Sequence, residues 1–179
     1  EVYVRIPNLE IRKCFKKDIK KRFDDVIKKD NLALNIANAL LEGNVDFVQD
    51  KLGPLLRSFV SIRDTATRAP HENYYHGFLN GIFTNCKDNL GEYHSNFESG
   101  YGYPDILFKD IDCRKVAIIE IKSASIGSDI ETLSEKAISQ IIDKSYAEPL
   151  MSNKTVKHIY GYGIAFAGKS CFISVKKIK

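Results

Sequence analysis

Apolar residues recur at helical spacing through the first half of the chain and at strand spacing through the second. Ile11, Cys14, Phe15, Ile19, Phe23, Val26 and Ile27 line one side of a helix predicted over Leu9–Lys29, opened by Pro7 and Asn8. A second helix is expected from Leu32 to Leu41, stopped by Gly43. A third starts near Asn44 and turns Phe47, Val48, Leu52, Leu55, Leu56, Phe59 and Val60 inward. Gly53-Pro54 predicts a kink or restart in it, because proline lacks the N–H and crowds the preceding turn. After a turn around Thr65–Pro70, a fourth helix is predicted over His71–Cys86, with Tyr75, Leu79, Ile82, Phe83 and Cys86 as its apolar stripe.

Strand patterns follow. Tyr93–Phe97 is a weak candidate, and Ser99–Pro104 reads as a loop or bend. Asp105–Lys109 and Val116–Lys122 are strong candidates joined by a short polar connection. Val116-Ala-Ile-Ile119 is apolar on both faces, which predicts a central strand covered from both sides. A helix is expected over Ile130–Tyr146, then a hairpin of His158–Ala167 and Cys171–Lys177 turning at Gly168-Lys169. The order predicts an α/β fold, a mixed sheet with helices on its faces.

At 179 residues, 44% hydrophobic and 28% charged, the composition is globular and suits one domain: residues 1–65 a helical N-terminal part, residues 66–179 the core that carries the chemistry. The net charge of +4 allows a polyanionic partner without requiring one. Arg12, Lys13, Lys16, Lys17, Lys20, Lys21 and Arg22 make the first helix basic, which suits either a nucleic-acid patch or an ordinary solvated face. No apolar run approaches the roughly eighteen residues of a membrane span. Four cysteines far apart form no CxxC pair, so reduced thiols in a cytoplasmic setting are expected. The chain opens on Glu1 without a secretory signal, and the expectation is a piece of a longer polypeptide.

Two pattern matches are rejected. Gly163-Ile-Ala-Phe-Ala-Gly168-Lys169-Ser170 fits GxxxxGK[ST], but that chemistry needs a loop whose N–H groups face phosphates at a helix N-terminus. Here the middle residues are strand formers and another strand follows. His71 and His76 are five apart, where HExxH needs four.

The chemistry concentrates elsewhere. Glu120 and Lys122 share one face of the central strand, and a hairpin pairing would bring Asp105 up to Glu120. Two converging carboxylates repel unless a cation lies between them, and hard oxygen ligands with room for water suit Mg²⁺. A lysine there can stabilise a charged transition state or orient water. A surface Asp with a Glu–Lys pair on an edge strand is the competing reading of these three residues. Two more residues bear on it: Glu72 lies on the apolar stripe of the fourth helix, and Gln140 lies beside Leu133, Ala137 and Ile141 on the later one. Polar groups in core-facing stripes are costly without polar partners, which points to one buried polar cluster.

Tyr103-Pro104-Asp105, followed fifteen residues on by Glu120-Ile121-Lys122, resembles the PD-(D/E)xK nuclease superfamily. His71-Glu72-Asn-Tyr-Tyr-His76, Glu98–Gly102, Ala137–Gln140, Lys144–Ala147 and Tyr162–Phe166 resemble a branch in which the nuclease-like domain follows an AAA-type ATPase-like domain. The likeness spans nearly the whole chain, including Ile6-Pro7-Asn8. It implies a restriction-endonuclease-like sheet, Asp105 and Glu120 as ligands of Mg²⁺ or Mn²⁺, and Glu72 as the helical acid supporting the metal. Lys122 would activate water and stabilise charge, with Gln140 beside it. It further implies a nucleic-acid partner, DNA ahead of RNA, an upstream ATPase-like domain, and room for a homodimer. The pattern departs at Phe97 and Tyr103, near which the family commonly has an Arg; this bears on phosphate contact, not on metal binding. The expectation is a metal-dependent nuclease. Its rivals are a catalytically silent nucleic-acid-binding or regulatory module, and a scaffold with no nucleic-acid role.

Overall fold

The computed structural model describes residue 17 and residues 21–60 and 71–179. The opening Ile6-Pro7-Asn8, most of the predicted first helix with its basic residues other than Lys17, Lys21 and Arg22, and the turn at Thr65–Pro70 lie outside the described residues.

The described part of the first helix, α1, covers residues 21–28. It is followed by α2 (Leu32–Glu42), α3 (Val45–Phe59) and α4 (His71–Phe83). Strands β1 (Glu92–Ser95), β2 (Ile106–Lys109) and β3 (Lys115–Ser123) come next. Helices α5 (Ile130–Asp143) and α6 (Glu148–Met151) then lead to β4 (His158–Ala167) and β5 (Ser170–Lys177). The strands form one sheet in the order β1-β2-β3-β4-β5, antiparallel except for the parallel β3–β4 pair. The expected mixed sheet flanked by helices is the architecture found, consistent with a restriction-endonuclease-like fold. Among the described residues no helix is long and apolar enough to cross a membrane.

The pleat of β3 sorts its side chains into two cores. Ala117, Ile119 and Ile121 join α2, α3 and α4 in the larger core, together with Tyr162, Ile164 and Phe166 of β4. Val116 and Ile118 face the other way and pack with Ile141, Tyr146, Val156 and Ile159 under α5. Coverage on both sides is what the doubly apolar run of β3 predicts.

On the α5 side, β4 presents Ile159 beside Val116 and from there on small residues: Gly161 beside Ile118, Gly163 beside Glu120, Ala165 beside Lys122. A Cβ at Gly163 would collide with the Ser134 carbonyl oxygen and lie 2.9 Å from the Ala137 Cβ. The missing side chain therefore lets α5 settle directly on the sheet next to Glu120.

Four element readings are corrected. Helix α3 runs unbroken through Gly53-Pro54. Pro54 and Asp50, whose carbonyl loses its partner, both sit on the exposed face, where solvent can satisfy the freed oxygen. Helices α4 and α5 end at Phe83 and Asp143, short of Cys86 and Tyr146, and α5 gives way to a turn with Ser145 at φ 53°. The first strand is Glu92–Ser95, with Asn96 at φ 52° breaking it. The GxxxxGK[ST] match is the β4–β5 hairpin: strand through Ala167, Gly168 at φ 57°, strand again from Ser170.

Candidate active site

The register of β2 against β3 pairs Ile106 with Ile119 and leaves Asp105 one step before the strand, beside Glu120. Asp105 does not join the ladder. Its carboxylate Oδ2 accepts the Ile121 N–H at 2.7 Å, a side chain taking the place of a backbone acceptor. Its own carbonyl accepts from the Asn96 N–H at 3.0 Å and from His76 Nε2 at 3.0 Å. The second bond requires the proton on that nitrogen of the ring, since a carbonyl can only accept.

Glu120 is the most enclosed member, with 4% of its surface exposed. One carboxylate oxygen, Oε1, accepts from Lys122 Nζ at 2.9 Å and from Gln140 Nε2 at 2.5 Å. The other, Oε2, is buried without a partner among the described residues. Burial, reinforced by the Asp105 charge, pushes the carboxyl up to about 7 against the opposing pull of Lys122. Burial likewise raises Asp105, opposed by the Ile121 N–H and by the charges of His76 and Lys122. For Lys122 burial works against the ammonium. The hydrogen bond and charge of Glu120, with Glu72 and Asp105 behind it, outweigh that and hold its pKa above the ordinary value.

Asp105, Glu120, Lys122 and Gln140 thus meet through direct bonds or adjacent register positions. Glu72 is placed differently. It is half-buried in the first turn of α4 and makes its mark through charge, raising Asp105, Glu120 and Lys122 alike. It lies within electrostatic reach of the cluster and outside the bonds that join Glu120 to Lys122 and Gln140.

Two participants escaped the sequence reading. His76 lies four residues after Glu72 on the same face of α4, so helical spacing could have found it. Tyr146 could not be found that way, because it lies past the end of α5. Its hydroxyl accepts from Gln140 Nε2 at 3.3 Å, giving the amide a second anchor. Tyr146 is held in turn by the segment before Asp105: Ser99 Oγ donates to the Tyr146 carbonyl at 2.8 Å, and the Tyr101 N–H donates to the Lys144 carbonyl at 2.8 Å.

A family model described as the PD-(D/E)XK nuclease superfamily matches residues 70–176, more than half of the chain. The chain belongs to the PD-(D/E)XK nuclease superfamily. No curated protein matches it. The superfamily's signature letters fall on Pro104-Asp105 and on Glu120-Ile121-Lys122, the residues that β2 and β3 bring side by side.

Membership in a nuclease superfamily implies a divalent metal, and the donor set can be tested against one. Among the described residues no three His, Cys, Asp or Glu side chains gather into a ready-made cage. What exists is a pair of carboxylates, one of them with an unpartnered buried oxygen, in a cluster that also holds the Lys122 ammonium. Mg²⁺ is characteristically held by one or two carboxylates and otherwise by water and phosphate oxygens, so the pair fits it.

Proposed function

We propose that the protein is a metal-dependent nuclease that hydrolyses phosphodiester bonds, in DNA ahead of RNA, with Mg²⁺ or Mn²⁺ held by Asp105 and Glu120. The observation that carries this is Glu120 Oε2, a carboxylate oxygen buried without a partner beside a second carboxylate. A buried carboxylate oxygen without a partner is costly even when the other oxygen is paired, and a cation is a partner that removes the cost. When bound, the metal would supply Lewis-acid stabilisation of phosphoryl charge and a more acidic water.

The residues of the chain have separate tasks in this reading. Glu120 spends Oε1 on Lys122 and Gln140, which fixes the carboxylate plane and leaves Oε2 free for the metal. Asp105 spends Oδ2 on the Ile121 N–H, which leaves Oδ1 for the same cation. Lys122, kept cationic by three acids, is the group that offsets charge on the attacked phosphate and orients the attacking water. Gln140, anchored by Tyr146, is a positioning residue. Glu72 adds negative charge within reach of both carboxylates, which favours a cation between them. The motif resemblances extend the proposal to a longer polypeptide with an ATPase-like portion upstream.

The test is cleavage of supercoiled plasmid and of labelled single-stranded DNA with Mg²⁺, Mn²⁺ or EDTA, wild type beside Lys122→Ala. Metal-dependent cutting that vanishes in the variant is expected. Cutting that survives in Lys122→Ala would move the chemistry elsewhere, and no cutting by wild type under any condition would favour a silent binding module.

A further inference from the structure

Ser99, Gly100, Tyr101 and Gly102 close a tight turn, with the Ser99 N–H donating to the Gly102 carbonyl at 2.8 Å and the reverse bond at 3.3 Å. Gly100 sits at φ 61°, and a Cβ there would collide with the Ser145 carbonyl oxygen. A Cβ on Gly102 would lie 3.1 Å from the Tyr146 ring and 3.3 Å from its hydroxyl. The turn is therefore seated on Tyr146, whose hydroxyl meets Gln140, which in turn holds Glu120. From this pinned backbone Tyr101 and Tyr103 project into solvent, 77% and 58% exposed. Phe97, 48% exposed and stacked on His94 with ring centroids 4.4 Å apart, lies at the start of the same segment.

Single exposed aromatics are common, but three on one ordered segment at the rim of a phosphodiesterase site call for a partner. Rigid tyrosine rings offer a flat apolar face at little cost in side-chain order. Lys144, exposed on the very turn that accepts the Tyr101 N–H, keeps one cation nearby for the backbone.

We infer that Tyr101 and Tyr103 form a stacking platform for unpaired nucleobases, so that the site engages single-stranded or locally opened DNA in preference to closed duplex. This rests on the nuclease reading above. Bases inside a duplex already stack on one another, whereas unpaired bases present free faces to aromatic side chains.

The test uses a single-stranded oligonucleotide carrying 2-aminopurine and the perfectly paired duplex of the same sequence. Ca²⁺ takes the place of Mg²⁺, since it accepts the same oxygen ligands. Wild type is expected to bind the single strand more tightly than the duplex and to quench its fluorescence. Tyr101→Ala/Tyr103→Ala should lose the quenching and roughly 5- to 150-fold in affinity for each lost stack. Tyr101→Phe/Tyr103→Phe should restore both, and all three proteins should melt together. Undiminished quenching in the alanine variant, equal affinity for duplex, no binding of the single strand by wild type, or a lowered melting temperature in the alanine variant would each overturn the inference. Quenching without any cutting would refute the nuclease reading and leave the platform standing. Cutting of single strands with an unchanged KM in the alanine variant would do the reverse.

Discussion

Burying Glu120 makes the metal-free protein's stability depend on pH in a way one substitution should erase. Its carboxyl sits at about 7 against an ordinary 4.5, through burial first and the Asp105 charge second. At 1.36 kcal/mol per tenfold change in proton affinity, ionising it in the fold costs up to about 3 kcal/mol. The sign follows from proton counting. Between 4.5 and about 7 the native state keeps a proton that the unfolded chain has released, so this contribution is full below 4.5 and is lost as pH rises through 7. Glu120→Gln removes the titration and keeps an acceptor for Lys122 and Gln140. It also deprives Lys122 of its buried counter-ion, which offsets the variant's whole profile and leaves the difference in slope between the two proteins unchanged. In EDTA, wild type should therefore lose about 2–3 kcal/mol relative to Glu120→Gln between about pH 5 and pH 8. Asp105 titrates in both proteins and cancels from the difference. Urea unfolding at a series of pH values reads this directly. Adding Mg²⁺ at the alkaline end should restore wild type and do little for the variant. Parallel pH profiles, or equal stabilisation of both proteins by Mg²⁺, would refute the account of Glu120 as a buried acid awaiting a cation.

Asp105→Asn should abolish metal-dependent cutting while leaving the melting temperature in EDTA nearly unchanged, since the amide oxygen can still accept the Ile121 N–H; a variant that cuts normally would remove Asp105 from the site. Gly163→Ala forces α5 away from β4 and should cost about 1–3 kcal/mol in urea unfolding, with turnover falling further as Gln140 is drawn off Glu120. Tyr146→Phe removes one anchor of Gln140 and should cost about 0.5–1.5 kcal/mol. As a positioning effect it should lower kcat with KM held, and a change confined to KM would contradict it.

How much of this was readable in the sequence depended on the range of the interaction. Val116–Lys122 declared both its strand character and its central place, because apolar residues on successive positions leave neither face for solvent. The meeting of Asp105 with Glu120 followed from pairing two neighbouring strands, and Glu72 and Gln140 stood out as polar residues on apolar helical stripes. The seat of α5 was hidden in Gly161, Gly163 and Ala165, whose alternation is plain but whose meaning needs the β3–β4 register to set each beside Ile118, Glu120 and Lys122. The continuity of α3 past Pro54 was hidden for a different reason: the penalty for a proline depends on whether the freed carbonyl faces solvent, and only packing decides that. Tyr146 lay furthest from view, because its role arises where a turn with Ser145 at positive φ swings the ring beneath Gly102. The two halves of that contact, Ser99–Gly102 and Lys144–Ala147, are separated by two strands and a helix, yet each glycine in the first is required by the backbone or ring of the second. The site accordingly rests on a support built from loops: the strands and helix deliver Asp105, Glu120, Lys122 and Gln140, and the Ser99–Gly102 turn, clamped to Tyr146, keeps Gln140 on Glu120. A substitution that loosens that turn should therefore damage the site without touching any residue of the signature.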